Sequence, residues 1–460
     1  MENSAQTLAP ADQRTCGRIT VAKAGAYAAG TNVIQVIGGL VATALLARLL
    51  GPAQKGIYDL YLASSMLLSV LLGFALNAGV TYVVASEPVN TSRLMRVLAL
   101  IALAEASLAL GLTYAANALG FGGSIVPTEL GAWRAPLVAL TVCVLAMAGF
   151  YRAVLVGHRE FISANYGDVG KQVLGVGFIL LAVVTSRLTR LPLVHAVVLA
   201  NTAAVGITIL LYGSRVPRGP ATNHDTGLAR AFRFSLPSYF ASASQYLNNR
   251  VDLFFVYRYW GAAHVGLYQT AVLIAQAINL LPMAMQAILF PTIASGSYSH
   301  EETVALVART HRLFFTVGVA TAGTLAVVGP VLIPMVFGKR FGASAVSLAL
   351  LAPGCALFVT TNILAAYFAG TGRPHINLVN SVVGTGVTVA LDLLVVPRWS
   401  FYGASVVMTL SCAVTTASCL IVFQRETGTR LVDLYVLTKS DLALGGQYCR
   451  NLAARWRSSA

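Results

Sequence analysis

One eleven-residue pattern occurs twice in this chain. Arg48, Gly51, Gly56 and Tyr58 of RLLGPAQKGIY return as Arg258, Gly261, Gly266 and Tyr268 of RYWGAAHVGLY, each 210 positions later. A shorter echo runs at an offset of 214, where Arg159, Ile162 and Gly170 answer to Arg373, Ile376 and Gly384. Two nearly equal offsets make the chain two related halves, and a duplicated chain is restricted to architectures in which a bundle can stand beside a copy of itself.

The halves are made of material suited to lipid. Apolar residues are 57% of the chain and charged residues 10%, against about 25% charged in a typical soluble domain. A backbone in hydrocarbon must satisfy its own N–H and C=O groups, so apolar runs of about 20 residues read as helices. Such runs can be drawn at 20–47, 57–86, 95–119, 134–157, 169–186, 192–213, 234–258, 266–291, 311–337, 345–369, 376–396 and 402–423. The expected fold is all-α and integral to the membrane, with about 12 transmembrane helices in two pseudo-symmetric six-helix halves. An even number of spans per half gives both the same orientation, hence a pseudo-two-fold axis along the membrane normal and a central cavity.

The expected divisions are a cytoplasmic N-terminal segment over 1–19, bundles at 20–213 and 234–423, a Pro- and Gly-rich cytoplasmic linker at 214–233, and a basic cytoplasmic tail at 424–460. The tail alternates apolar and charged groups, as either a helix on the inner leaflet or a loose end would. With the N-terminus inside, 21 Lys and Arg residues fall on inner segments, nine on outer ones, Lys55 among them, and Arg250 alone lies deep in a span. Both termini are therefore expected in the cytoplasm. The net charge of +15 follows from this topology and from attraction to anionic membrane lipids, so no nucleic-acid partner is implied. The six cysteines are scattered without metal-ligand spacing, and no metal or other cofactor is expected. No P-loop, HExxH helix or GxSxG elbow is present, and the external loops are short, which argues against an enzyme.

Polar stripes mark where a substrate could pass. In the span at 234–258, Gln245, Tyr246, Asn249, Arg250 and Asp252 share an arc of roughly 160° with Ser238, Tyr239 and Ser242, while Ser244 and Asn248 fall near the apolar edge. Arg250 presents paired donors that match a phosphate, although a partner on another span or snorkelling to the outer surface would also accommodate it. Gln276 and Asn279 share a face of the next span, where Pro282 permits a bend. Asn32 and Gln35 share a face of the first span; Lys23 lies elsewhere on it, placed either to anchor the inner surface or to capture an anionic head group. Asp59, Glu105, Asp252 and Asp392 are candidates for ion coupling or for helix-to-helix hydrogen bonds, with Glu105 central in its span. Gly51 and Gly56, with Pro52, are expected to make the outer turn between the first two spans.

Several ordered segments carry a resemblance: LLARLLGPAQKGIYDLYLA (45–63), NNRVDLFFVYRYWGAAHVGLY (248–268), LLPMAMQAILFPTIA (280–294), FGKRFGASAVSLALLAPG (337–354), GTGRP (370–374) and LDLLVVPRWSFYGAS (391–405). Together they resemble the polysaccharide-transporter branch of the multidrug/oligosaccharidyl-lipid/polysaccharide exporter superfamily, over residues 20–423. The resemblance implies a flippase in a bacterial plasma membrane, moving a polyprenyl-diphosphate-linked glycan outward for cell-surface polysaccharide synthesis by alternating access. An ion gradient, proton or sodium, and a polysaccharide polymerase are the further partners it implies. The alternatives are a multidrug and toxin extrusion exporter on the same scaffold, which needs acidic cavity residues, and a membrane glycan polymerase or ligase, which needs a large outer loop.

Overall fold

The computed structural model describes residues 10–86, 89–120, 122–189, 191–217 and 226–438, with the side chains of 10–34, 36 and 238 outside the described set. Its helices are α1 (Pro10–Leu72), α2 (Leu76–Ser86), α3 (Thr91–Ala118), α4 (Gly122–Ile125), α5 (Arg134–Gly157), α6 (Phe161–Thr189), α7 (Leu193–Gly213), α8 (Leu228–Trp260), α9 (Ala262–Gln276), α10 (Leu280–Ala294), α11 (His300–Phe337), α12 (Ser344–Gly370), α13 (Pro374–Thr427) and α14 (Leu431–Tyr435). No strand occurs among the described residues.

Among the described residues nine helical segments are long and apolar enough to cross a membrane. Two of these are double: the one at Ile37–Leu72 turns at Gly51 (φ 69°) and the one at Pro374–Thr427 turns at Ser400 (φ 55°). With those divided, and with the polar helix α8 added, the count returns to twelve. Side chains such as Val327, Leu188, Met335 and Leu210 are 70% exposed or more, as expected for surfaces that face lipid rather than water.

Local chemistry sets the helix ends. Asn90 caps α3 by accepting from the Arg93 amide, Pro374 occupies the first turn of α13, and Gly428 ends that helix in the left-handed conformation. The start of α11 is a reciprocal capping box: Ser299 Oγ accepts from the Glu302 amide at 3.2 Å, and Glu302 Oε2 accepts from the Ser299 amide at 2.8 Å. Replacing Ser299 by Ala should lower stability by about 1 kcal/mol, seen as a lower thermal midpoint of the purified protein.

Packing divides the chain into two units. One comprises the chain up to Leu50 together with Tyr61–Ser242; the other comprises Gly51–Leu60 and the chain from Ala243 onward. In the first, Leu94, Leu98 and Ala102 of α3 bury against Phe150 and Val154 of α5 and Val80 of α2. In the second, Tyr367 and Phe368 of α12 bury with Phe423 of α13 and Val307 of α11.

Two expectations are corrected. Gly51 does make the turn between the first two spans, but Gly56 lies inside the helix that follows, where a Cβ would overlap the Ala262 carbonyl oxygen. The reverse also holds, since a Cβ on Gly266 would overlap the Pro52 carbonyl oxygen, so the two copies of the motif pack on each other by a reciprocal contact. The span drawn at 57–86 is interrupted between Leu72 and Leu76, where Phe74 and Ala75 hold positive φ of 48° and 50°. Lys55, counted with the outer segments, is only 1% exposed. The short α14 docks on α11: the His311 ring stands 2.7 Å from the Leu434 carbonyl and 2.8 Å from the Thr360 hydroxyl. Residues 439–460 lie outside the described set.

Candidate substrate-binding site

The second unit contains the C-terminal part of α8, and with it Gln245, Tyr246, Asn249, Arg250 and Asp252. Gln245 is exposed, Tyr246, Asn249 and Arg250 are half-buried, and Asp252 is buried. The residues that broke the polar stripe have partners on α13. Ser244 Oγ donates to Ser381 Oγ at 3.1 Å, and the Asn248 amide lies against Gly384, which has no side chain to displace it. One edge of the stripe is thus a helix-to-helix seam.

Arg250 forms no direct salt bridge among the described residues. Its charge acts on three side chains around it: Asp59, Tyr246 and Asp252. Asp59 already has a closer cation, since Lys55 Nζ stands 2.5 Å from its carboxylate across one helical turn. Asp252 accepts the Leu253 amide at 2.7 Å and the hydroxyl of Tyr268, the tyrosine of the second motif copy. Asp392, wholly buried in this unit, has both carboxylate oxygens without a hydrogen-bond donor. Its nearest charged influence is Asp252. Arg250 therefore stands as a guanidinium whose acidic surroundings are largely committed elsewhere, which leaves its paired donors free to bind an oxyanion.

The other candidates separate. Gln276 ends α9, and a 3₁₀ turn at Ala277–Asn279 precedes α10, so the pitch changes just ahead of Pro282. Asn279 is 5% exposed and accepts weakly from Asn362 at 3.4 Å, which makes it a packing residue. Gln35 belongs to the first unit and is half-buried, one turn before Gly38, against which the Gln172 side chain packs. The side chains of Lys23 and Asn32 lie outside the described residues. Glu105, also in the first unit, is 3% exposed, and neither of its carboxylate oxygens has a hydrogen-bond donor.

Two arrangements were not anticipated. Lys55 and Asp59 form a buried pair that their i,i+4 spacing could have signalled. In the first unit, Asp168 of α6 joins Arg152 of α5 at 2.9 Å and the Tyr212 hydroxyl of α7 at 2.5 Å. Nothing in the spacing of those three residues announces that they meet. No cluster of three or more His, Cys, Asp or Glu side chains close enough to hold a metal occurs among the described residues.

With this geometry in hand, comparison with known proteins places the chain. The family model of the polysaccharide biosynthesis proteins matches residues 21–297, more than half its length. The chain belongs to the polysaccharide biosynthesis protein family. This family member is 21% identical over 197 residues to the capsular polysaccharide biosynthesis protein CapF of Staphylococcus aureus, a match covering 42% of the chain and 50% of CapF. The chain thus spans about half the length of that curated relative. Among solved structures its fold is similar to the lipid II flippase MurJ in an inward closed conformation, with a TM-score of 0.70, 12% identity and coverage of 86% and 87% of the two chains. It is also similar to an inward-facing multidrug resistance MATE family transporter of the MOP superfamily, with a TM-score of 0.64, 14% identity and coverage of 86% and 94%. The family and both likenesses fit an all-α integral membrane protein.

Proposed function

We propose that this protein is a flippase, which moves a polyprenyl-diphosphate-linked oligosaccharide from the inner to the outer leaflet by alternating access, for cell-surface polysaccharide biosynthesis. The observation that carries the reading is Arg250: a half-buried guanidinium on the polar face of α8, with no carboxylate in direct contact. A diphosphate supplies the oxygens that such a group binds in pairs. The family of polysaccharide biosynthesis proteins supports the same substrate class.

In this reading the polyprenyl tail stays in lipid throughout, and only the head group crosses on a polar path. Gln245, Tyr246, Asn249 and Gln276 contact the sugar or the phosphates. The barrier removed is the cost of drawing a polar head group through hydrocarbon, so no covalent chemistry is needed and the protein is a transporter rather than an enzyme. A proton or sodium gradient gives direction, with Asp252 and Asp392 the acids placed to sense it in the second unit. The expected setting is a bacterial inner membrane with both termini cytoplasmic, and a polysaccharide polymerase consumes the product outside.

The test is the leaflet distribution of lipid-linked glycan in cells depleted of the protein and resupplied with wild type or Arg250→Ala. Losing a charge-assisted contact worth about 1.5–3 kcal/mol should cut outer-leaflet delivery roughly tenfold or more. Normal delivery without the protein, in a strain with no redundant flippase, would overturn the reading. The buried acids and the likeness to a multidrug resistance transporter favour a drug exporter as the second reading. Cation extrusion in place of glycan delivery would establish it.

A further inference from the structure

The first unit holds a feature that glycan binding does not use. The path of the second span stops at Leu72 and resumes at Leu76, and the residues between include Phe74 and Ala75 in the left-handed region that side-chain-bearing residues rarely occupy. Glu105, at the centre of α3, faces this break: a Cβ placed on Gly73 would stand 3.7 and 3.8 Å from its two carboxylate oxygens. Two cavities meet at Glu105 and Gly73. One, of about 280 Å³, has Ser69, Asn77 and Ser242 on its wall. The other, of about 500 Å³, is apolar, walled by Leu72, Ile101 and Phe232 among others.

The carboxylate lies between them, 3% exposed, with neither oxygen bonded to a donor. Among the described residues the walls of both cavities carry no other ionisable side chain. The only other titratable group in its electrostatic reach among the described residues is the Cys143 thiol of α5. Among the described residues no cation therefore balances a negative charge there, and a carboxylate so placed is tolerated when it carries a proton. Once ionised it needs donors, and those on the wall of the smaller cavity are the Ser69 and Ser242 hydroxyls and the side-chain amide of Asn77, two of which sit on or beside the break. Asn77 is held against Gly149 of α5, where a Cβ would press on its amide. Tyr239 of α8 donates to the Leu71 carbonyl at 3.2 Å, and its ring lies 5.0 Å from that of Phe74. The left-handed backbone is thereby braced by side chains that would have to move if the break closed on the carboxylate.

We propose that Glu105 is a site of reversible proton binding in the N-terminal unit, and that gain or loss of its proton changes the conformation of the break at Gly73–Ala75. The step is carboxylate plus proton to carboxylic acid, and ionisation draws the Asn77 side chain and the Ser69 hydroxyl toward the oxygens. This deepens the proposed function by naming the coupling cation and one place where it is read.

The experiment uses the full chain in lipid and needs no glycan. Infrared difference spectra are recorded across a pH titration at constant sodium, with hydrogen exchange followed over residues 69–80. In the wild type a protonated-carboxyl band should grow on acidification and exchange at the break, corrected for the intrinsic pH dependence of amide exchange, should change with it; Glu105→Gln should lose that band and hold one corrected exchange pattern at every pH. Cys143→Ala should behave as wild type. Identical spectra for wild type and Glu105→Gln, or exchange at 69–80 that ignores pH in the wild type, would overturn the proposal. A response that disappears in Cys143→Ala would assign it to the thiol, and one that follows sodium at fixed pH would assign the site to a metal cation; either overturns it. The wild-type exchange measurement decides the matter even if Glu105→Gln does not fold. Failure here leaves the leaflet assay untouched, and failure of that assay leaves these spectra to stand alone.

Discussion

Gly56→Ala should lose most of its folded protein. A single methyl group there meets the Ala262 carbonyl oxygen and stands 2.8 Å from the Gly266 amide nitrogen, both backbone atoms that cannot rotate away as a side chain would. Overpacking a close contact typically costs 1–3 kcal/mol where side chains can yield, so about 3 kcal/mol or more is expected where backbone must shift. Gly266→Ala should fall by a similar amount, because its added methyl meets the Pro52 carbonyl in the same way. Gly111→Ala supplies the control, since a Cβ there meets nothing within 4 Å and Ala favours a helix over Gly by roughly 0.8–1.0 kcal/mol. Thermal unfolding of the three variants in detergent checks the set. A Gly56→Ala protein as stable as Gly111→Ala would show that the motif helices do not pack as described.

Removing the Lys55 ammonium should be nearly as damaging. Its side chain is 1% exposed and that of Asp59 13%, with the nitrogen 2.5 Å from the carboxylate. Lys55→Ala strands Asp59 in a buried site, with only the more distant charge of Arg250 to offset it. Breaking one side of such a pair costs about 3–5 kcal/mol, whereas replacing both partners by apolar residues of similar size is often neutral. Lys55→Met combined with Asp59→Leu should therefore recover most of the unfolding midpoint lost in Lys55→Ala. Equal losses in single and double variants would mean that the charge pair is not what the site requires.

Much of the fold was legible because membranes leave the backbone few options. The expected span at 134–157 coincides with α5, and that at 192–213 differs from α7 by one residue at its start. Both are apolar runs bounded by turns, and length alone settles them. The interrupted second span was not legible. No proline marks the break at Phe74 and Ala75, and its cause lies in tertiary neighbours, namely Tyr239 reaching Leu71 and aromatic rings around Phe74. The burial of Lys55 was not legible for a local reason: a charge beside a glycine and a proline reads as a loop, and only its i,i+4 acid hints at burial. Within the candidate site, helical periodicity placed Arg250 on a polar face together with Asn249 and Tyr246. It could not foresee that Asp252 would be taken up by Tyr268, because a hydroxyl 16 positions away meets it only once α9 has folded back alongside α8.

The contact between the motif copies also bears on ancestry. Position five of each copy lends its carbonyl to the notch left by the glycine at position nine of the other, Pro52 to Gly266 and Ala262 to Gly56. A contact that reads the same from either side is the mark of a two-fold dimer interface. A chain carrying a single copy of the motif would find no partner for its glycine within itself and would meet one only in a second molecule. Severing the chain in the linker would likewise leave each piece with one motif copy, so that neither could complete the notch alone, and restored function from such pieces would require that they first reassociate.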